Sequence, residues 1–126
     1  MNLYGNAIRA STKLIAKDPK LVAGFLRATN RGLVETLSDP LAAMRYLKIR
    51  EAMIDERVEA DRFRITASYV STADTKEHGI GDVKKALVQQ QIDGVTEAFA
   101  LKTKVSADGL YNLSFLPPQS QRMVKA

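Results

Sequence analysis

The stretch DPKLVAGFLRATNRGLVETLSDPLAAMRYLKIR, residues 18–50, decides how this chain folds. The dipeptide Asp-Pro occurs in it twice, as Asp18-Pro19 and Asp39-Pro40. Aspartate is a favourable N-cap because its carboxylate accepts hydrogen bonds from the free N–H groups of the first helical turn. Proline suits the first helical position, where its missing N–H would have no partner. The stretch is therefore predicted to form two consecutive helices.

The first helix, 19–37, has apolar residues three or four apart, which predicts one buried face. The residues expected on that face are Leu21, Val22, Phe25, Leu26, Thr29, Leu33, Val34 and Leu37. The residues expected on the opposite, wet face are Arg27, Asn30, Arg31 and Glu35. The second helix, 40–50, presents Leu41, Met44 and Leu47. The rest of the chain is expected to pack against this pair of helices.

The composition is that of a single globular domain. The chain has 126 residues, of which 45% are hydrophobic and 26% charged, so we expect one domain, 1–126. The net charge of +5 favours contact with anions, but solubility explains it equally well. Because the sequence cues of nucleic-acid-binding folds are missing, no nucleic-acid partner is expected. The absence of cysteine excludes disulfides and cysteine-ligated metals.

The first residues differ in pattern from all that follows. Residues 2–10, NLYGNAIRA, are interrupted by Gly5 and are too short for a stable helix. They are predicted to form a short strand with a bend at the glycine. A single strand is unstable without a partner, and few other segments resemble strands. The partner strands are therefore expected to lie outside this chain.

Further helical patterns cover 11–17, 56–70 and 83–100, with Asp55 and Asp82 as caps of the last two. The polar segment 71–82 contains two glycines and is predicted to be a loop. Its histidine, His78, has no second histidine or cysteine nearby in sequence, so we interpret it as an exposed loop residue rather than a metal ligand. The apolar segment 110–118 is expected to dock onto the core, and the last eight residues to fray. The predicted fold class is mainly α, with four to five helices and a short N-terminal strand.

No motif for catalysis or for a cofactor occurs in the sequence. A nucleophile elbow, a phosphate loop, a dinucleotide fingerprint, a zinc motif and a calcium loop are all absent. The acidic residues Glu56, Glu59 and Asp61 alternate with arginines, which is typical of a solvated helix face. The chain is therefore expected to be neither an enzyme nor a cofactor or metal binder.

Four segments together resemble a known family. These are YGNAIRAS, DPKLVAGFLRATNRGLVETLSDPLAAM, HGIGD and LYNLSFLP, in that order along residues 4–117. They resemble the C-terminal third of the solute-binding proteins of ABC importers for nitrate, sulfonate, taurine and thiamine-pyrimidine precursors. The resemblance implies the helical part of an α/β fold of the periplasmic-binding-protein-like type II. In such a fold, residues 3–10 would pass through the hinge between two lobes.

The resemblance also implies a site, partners and a location. Tyr4, Gly5 and Asn6 match the hinge-side segment that would face a ligand. The implied partners are a small-molecule solute and an ABC permease, and the implied location is the periplasm. The sequence shows no signal peptide and no membrane span, so a chain that starts at Met1 would be cytoplasmic and would not insert into a membrane.

Two functions are therefore carried forward. The first is a part of a solute-binding protein that binds ligand weakly or not at all by itself. Its helix faces, shaped to cover a sheet, would be exposed, so self-association is expected. The alternative is a stand-alone helical interaction or regulatory domain, of which one form would bind nucleic acid through its basic helices. Steep loss of DNA binding with rising salt would identify the alternative.

Overall fold

The computed structural model of the protein describes residues 4–103 and 105–124. In these two ranges the chain is helical and contains no β-strand. The α-helices are α1 (Thr12–Lys17), α2 (Pro19–Ser38), α3 (Pro40–Arg50), α4 (Glu56–Val70), α5 (Ala73–His78) and α6 (Lys85–Ala98). Three short 3-10 turns follow, at Ala107–Gly109, Leu113–Phe115 and Gln119–Gln121. The prediction of a mainly α chain is confirmed.

Both Asp-Pro dipeptides start helices as predicted. The Asp18 carboxylate accepts a hydrogen bond from the Leu21 amide at 2.9 Å. The Asp39 carboxylate accepts one from the Ala42 amide at 3.0 Å, while the Asp39 amide donates to the Glu35 carbonyl at 3.0 Å. Asp39 thus closes α2 with its backbone and opens α3 with its side chain. Each cap satisfies N–H groups that have no partner inside the helix.

Helix α2 is the element against which most others pack. It contacts α1, α3 and the 3-10 turns at Leu113–Phe115 and Gln119–Gln121, while α4 packs on α3. These neighbours cover part of the side expected from the apolar spacing, because Val22, Leu26 and Leu33 are half-buried, but they do not cover all of it. Asn30 was expected in solvent but is buried, and Leu21 and Phe25 were expected inside but are more than half exposed.

The covered face of α2 runs through Val22, Leu26 and Leu33, which are half-buried. Asn30 lies on the same face, and its side-chain nitrogen donates to the Leu26 carbonyl at 3.0 Å. This bond satisfies part of the buried amide, so it lowers the free-energy cost of burying the Asn30 side chain. The apolar residues of α2 spread over more than one side, and the neighbours decide which side is covered.

The core is small and the surface large. The fully buried apolar residues of the described chain are Met44, Ala60, Val88, Ala107 and Val124. The accessible surface is 9762 Å². A compact monomer of 13.9 kDa would have about 6,700 Å². The fold therefore leaves roughly 3,000 Å² more surface in water than a chain of this size normally does.

The predicted N-terminal strand is not present in the described residues. Residues 4–10 have no regular secondary structure, and residues 2 and 3 of the prediction lie outside the described ranges. The segment finds no second strand in residues 4–103 or 105–124, and an unpaired strand gains no ladder hydrogen bonds. The prediction of a strand with a bend at Gly5 is therefore wrong for residues 4–10.

The segment 71–82 is only partly a loop, because α5 occupies its centre. The Thr72 amide donates to the Thr75 hydroxyl at 2.9 Å, and the Thr75 amide donates to the Thr72 hydroxyl at 3.2 Å. These reciprocal bonds form a capping box that starts the helix. The helix after the loop begins at Lys85 rather than at 83, and Asp82 does not cap it. Its side chain accepts instead from the adjacent Val83 amide at 3.0 Å.

The C-terminal tail is docked, and Arg122 holds it in place. Its guanidinium donates to the carbonyls of His78 and Ile80, each at 3.1 Å, and to the Pro117 carbonyl at 3.1 Å. The Ile80 amide donates back to the Arg122 carbonyl at 2.8 Å. We call this set of bonds the Arg122 clasp. Residues 119–124 therefore pack against the turn after α5, so the prediction of fraying is wrong for these six residues, while residues 125 and 126 of that prediction lie outside the described ranges.

None of the helices in the described residues combines the length and apolar character needed to cross a bilayer.

Removing the cap that joins α2 to α3 tests its contribution. Asp39→Ala should lower the free energy of unfolding by about 1 kcal/mol, because the Ala42 amide loses its acceptor. Asp39→Asn should lower it by only a few tenths, roughly, since the amide oxygen still accepts. Urea denaturation followed by far-UV circular dichroism measures both. Equal losses in the two variants would show that the cap is not the cause.

A substitution at Gly79 tests how much the Arg122 clasp contributes to stability. Its φ is +88°, and an added Cβ would lie 3.0 Å from Arg122 Cγ and 3.2 Å from the Arg122 carbonyl oxygen. Gly79→Ala should therefore destabilise the fold by about 1–3 kcal/mol. The matched control is Gly32→Ala inside α2, where no atom lies within 4 Å of an added Cβ. That variant should gain up to about 1 kcal/mol. Calorimetric melting of both variants would contradict the clasp if their stabilities changed in the same direction.

Candidate functional site

Tyr4 is the only predicted ligand residue that the described structure places against another element. Its side chain is half-buried, and its hydroxyl accepts a hydrogen bond from the Lys84 amide at 2.8 Å. Lys84 is the residue before α6, whose first turn has no side-chain cap. The tyrosine hydroxyl therefore satisfies an amide that a capping side chain would otherwise take. Gly5 and Asn6 are exposed, and an added Cβ at Gly5 would meet nothing within 4 Å.

Lys84 links Tyr4 to two further titratable side chains, Asp74 and His78. The Lys84 ammonium forms an ion pair with the Asp74 carboxylate. His78 lies on the same side of α5 as Asp74, with Nδ1 3.3 Å from the Asp74 carboxylate and 3.3 Å from the Asp74 carbonyl. Helical spacing of four residues brings the histidine and the carboxylate together. We call Tyr4, Asp74, His78 and Lys84 the Tyr4 cluster.

The ion pair in this cluster shifts the titration of both partners in the expected directions. The hydrogen bond from Lys84 holds the pKa of Asp74 below its usual value, against the opposing effect of partial burial. The hydrogen bond to Asp74 likewise raises the pKa of Lys84. Both groups are therefore charged around neutral pH. Asp74 is half-buried whereas the side chain of Lys84 is 59% exposed, so the ammonium faces solvent at the rim.

The cluster has the chemistry of a polar binding surface. The tyrosine hydroxyl and the lysine ammonium can donate hydrogen bonds to oxygen atoms of a solute, and the histidine ring can donate or accept. No nucleophile is paired with a general base in it. In residues 4–103 and 105–124, no three histidine, aspartate or glutamate side chains converge as metal ligands do.

Two grooves lie elsewhere, along α4. One, of about 320 Å³, is lined by Leu37, Arg64, Ala67, Ser68, Ser71 and Val124. The other, of about 220 Å³, is lined by Leu41, Arg57, Ala60, Asp61 and Arg64. Both are open to solvent, and neither includes the Tyr4 cluster. A small-molecule site normally buries most of its ligand, so these grooves alone do not form one.

Sequence analysis missed most of the cluster. His78 was interpreted as an isolated loop residue, yet it is on a helix and beside Asp74. The available signal was the spacing of Asp74 and His78, which matters only once the segment is known to be helical. The sequence does not indicate that Lys84 contacts Tyr4, because the two residues are 80 positions apart in the chain.

Comparisons with known proteins give one relative. The Chloroflexus aurantiacus protein named riboflavin-binding protein RibY is 29% identical to this chain over 119 residues, which cover 92% of this chain and 34% of the relative. The chain thus spans about a third of the length of the relative it matches. No protein-family model matches the chain, and no solved structure matches it.

These findings correct the functional prediction. The resemblance to ABC importer solute-binding proteins for nitrate, sulfonate, taurine or thiamine-pyrimidine precursors is contradicted, because the relative is a riboflavin-binding protein and neither a family model nor a structure supports that importer family. The relative that the comparison gives is instead named for binding riboflavin.

The alternative, a stand-alone helical or regulatory domain that binds nucleic acid, is not supported either. Three basic residues of its helices have acidic partners within the chain. Arg62 pairs with Glu59 at 2.6 Å, Arg64 pairs with Asp61, and Lys48 lies 3.8 Å from Glu56. Phosphate contacts would have to compete with these acidic partners.

The lowered pKa of Asp74 predicts how stability depends on acid. A carboxyl group whose folded-state pKa lies below its unfolded value stabilises the fold above the unfolded value, about pH 4, and loses that effect as pH falls through the folded value. Wild type should therefore melt above Asp74→Asn at pH 5, and the difference should shrink as the pH falls through the folded-state pKa of Asp74. Melting temperatures from pH 2 to 5 measure this, a window below the ordinary titration range of histidine. A constant difference across the window would exclude the ion pair as its cause.

Proposed function

We propose that this chain is one part of a longer protein that binds a small solute of the flavin type. The observation that carries the proposal is the match to a riboflavin-binding protein, which runs through 92% of this chain without being confined to one motif. Riboflavin combines an apolar ring system with a polyhydroxyl chain, so its site needs both apolar area and hydrogen-bonding groups. The chain contributes binding residues, not catalysis.

The geometry supports a part rather than a whole binding protein. The described helices enclose no cavity comparable with a closed ligand site, and they leave about 3,000 Å² of surface beyond that of a compact monomer. We infer that this single partial domain forms the helical side of a larger α/β fold. In that fold, residues outside this chain would cover the exposed apolar faces.

Within the site, the Tyr4 cluster supplies polar contacts to the solute. The Tyr4 hydroxyl already accepts from the Lys84 amide, so its proton remains available to a ligand oxygen. The Lys84 ammonium stands beside it as a second donor. Gly5 and Asn6 follow Tyr4 in an exposed segment without secondary structure, which leaves them free to approach a ligand in the larger fold.

The other expectations from the sequence remain predictions. They are that the chain is not an enzyme, that it neither binds nucleic acid nor inserts into a membrane, that a permease is a partner of the longer protein, and that it acts in the periplasm.

A segment exchange tests the proposed function. The matched third of the Chloroflexus protein is replaced by this chain, and riboflavin binding is measured by quenching of riboflavin fluorescence. The chimera should bind riboflavin with a Kd within about tenfold of the parent, a change of at most about 1.4 kcal/mol. A chimera that folds, as judged by cooperative melting, but does not bind riboflavin would overturn the proposal.

Two variants of the chimera test the site. Tyr4→Phe removes the hydroxyl and should weaken binding by roughly threefold to tenfold, the value of one hydrogen bond. Tyr46→Phe is the matched control, because Tyr46 is 74% exposed on α3 and lies outside the Tyr4 cluster. Equal effects of the two substitutions would remove Tyr4 from the site. If the chimera does not fold, the melting temperature of this chain with riboflavin, compared with ribitol at equal concentration, gives a second measurement.

A further inference from the structure

The Tyr4 cluster contains an ammonium that is already paired with an acid. The Lys84 ammonium contacts Oδ1 of Asp74, and Nδ1 of His78 lies 3.3 Å from the same oxygen. Glu77 on α5 is exposed and lies 3.9 Å from Nε2 of His78, so it adds a second carboxylate at the edge of the cluster. At about pH 8, above the ordinary titration range of histidine, this group of side chains therefore carries more negative than positive charge.

Three other cations close to the cluster in sequence or in space do not reverse this balance. Lys85 forms its own ion pair with Asp108. Lys76 follows the aspartate of the cluster by two residues on α5, a spacing that puts the two side chains on different sides of the helix. The Arg122 guanidinium donates to three backbone carbonyls in the Arg122 clasp. A ligand that reaches the cluster therefore meets, in Lys84, a cation whose charge an acid already offsets.

A hydroxyl group suits this arrangement because it both donates and accepts hydrogen bonds. The Tyr4 hydroxyl accepts from the Lys84 amide at 2.8 Å, so its proton can go to a ligand oxygen. Lys84 and His78 both contact Oδ1 of Asp74, and the second carboxylate oxygen can accept from a ligand hydroxyl. A chain of hydroxyl groups therefore finds both a donor and an acceptor in the cluster.

A phosphate group does not suit the same arrangement. At about pH 8 a phosphate monoester carries close to two negative charges, and its oxygen atoms are hydrogen-bond acceptors. To reach the Lys84 ammonium, it would have to stand beside the Asp74 carboxylate or displace it, and like charges at close range are unfavourable. An acid beside the only ammonium of the cluster thus acts against a phosphorylated ligand while it accepts an uncharged one.

We propose that the Tyr4 cluster contacts the polyhydroxyl chain of the flavin, and that Asp74 makes the site select riboflavin over riboflavin 5′-phosphate. These two molecules share the ring system and differ in the phosphate at the end of that chain. The inference rests on the proposed function, because it names the form of the flavin that the site accepts. Asp74 is then a specificity-determining residue, which offsets the charge of Lys84 and repels the added phosphate.

The chimera that carries this chain in the Chloroflexus protein tests the proposal with both molecules. At about pH 8, fluorescence quenching should give a Kd for riboflavin at least about tenfold below the Kd for riboflavin 5′-phosphate. Asp74→Asn removes one negative charge beside Lys84, so the Kd for the phosphate ester should fall by about tenfold. The Kd for riboflavin should change by less than about threefold, since the amide oxygen still accepts a hydrogen bond.

Asp108→Asn in the chimera is the matched control. It makes the same change in net charge and leaves Lys85 without its acid, in a pair whose side chains are both more than two-thirds exposed and lie outside the Tyr4 cluster. The ratio of the two Kd values should stay within about twofold of that of the unsubstituted chimera. A control effect as large as that of Asp74→Asn would overturn the proposal.

The outcomes separate this proposal from the proposed function. A chimera that binds both molecules equally, or an Asp74→Asn variant that keeps the original ratio, would overturn the specificity and leave riboflavin binding in place. A chimera that folds and binds neither molecule would overturn the proposed function, and this inference with it.

The intact chain alone gives a second measurement, which needs no flavin. Inorganic phosphate at about 20 mM, compared with chloride at equal ionic strength, should raise the melting temperature of Asp74→Asn by about 2 °C or more. Wild type and Asp108→Asn should shift by less than about half of that, because their Lys84 ammonium is still paired. Equal shifts in the three proteins would overturn the role of Asp74, whether or not the chimera folds.

Discussion

The fold depends on α2 being held between two aspartates. Asp18 opens the helix, and Asp39 closes it while opening α3, so the ends of α2 are determined within a few residues on either side. The elements that pack on α2 come from both ends of the described chain, α1 before it and two 3-10 turns more than seventy residues later. With only five fully buried apolar side chains, the described fold has little else to organise it. Helix α2 therefore serves as a scaffold. Its ends are stabilised by caps from adjacent residues, and the other elements pack on it.

The features that the sequence predicted are those that depend on nearby residues. The caps at Asp18, Asp39 and Asp55 are present, because each needs only an amide two or three residues ahead, whereas the predicted cap at Asp82 is absent. The buried face of α2 was predicted less well. Its apolar residues occupy more than one side, and the choice between Phe25 and Asn30 is made by tertiary neighbours. The strand at the N-terminus was wrong for the same reason, since a strand exists only through a partner. Of the candidate site, Tyr4 was found, whereas His78 and Lys84 depend on contacts that sequence spacing does not reveal.

A helical layer with a polar cluster at one edge and apolar faces elsewhere is suited to forming one side of a ligand site that a second body completes. The Tyr4 cluster offers hydrogen-bonding groups at a rim, where Lys84 reaches solvent and Asp74 lies deeper. An isoalloxazine-like ring would need apolar walls that the described helices do not close around it. Under the proposed function, binding would therefore need a second body, and affinity would depend on how well that body is positioned. This accounts for a chain that matches a binding protein along its length and yet has open grooves.

The Arg122 clasp has a consequence for how the chain reaches its fold. It joins backbone groups 42 and 44 residues apart, whereas the caps join groups two or three apart. Closing a loop of that length has an entropic cost that local turns avoid. The helices can form early from their own sequences, but the tail must search for the turn after α5. In the native protein the same long closure makes the docked tail easier to open than α2, so amide exchange should reach the tail before it reaches α2. Of these two elements, the one that docks later in folding is then also the one released earlier.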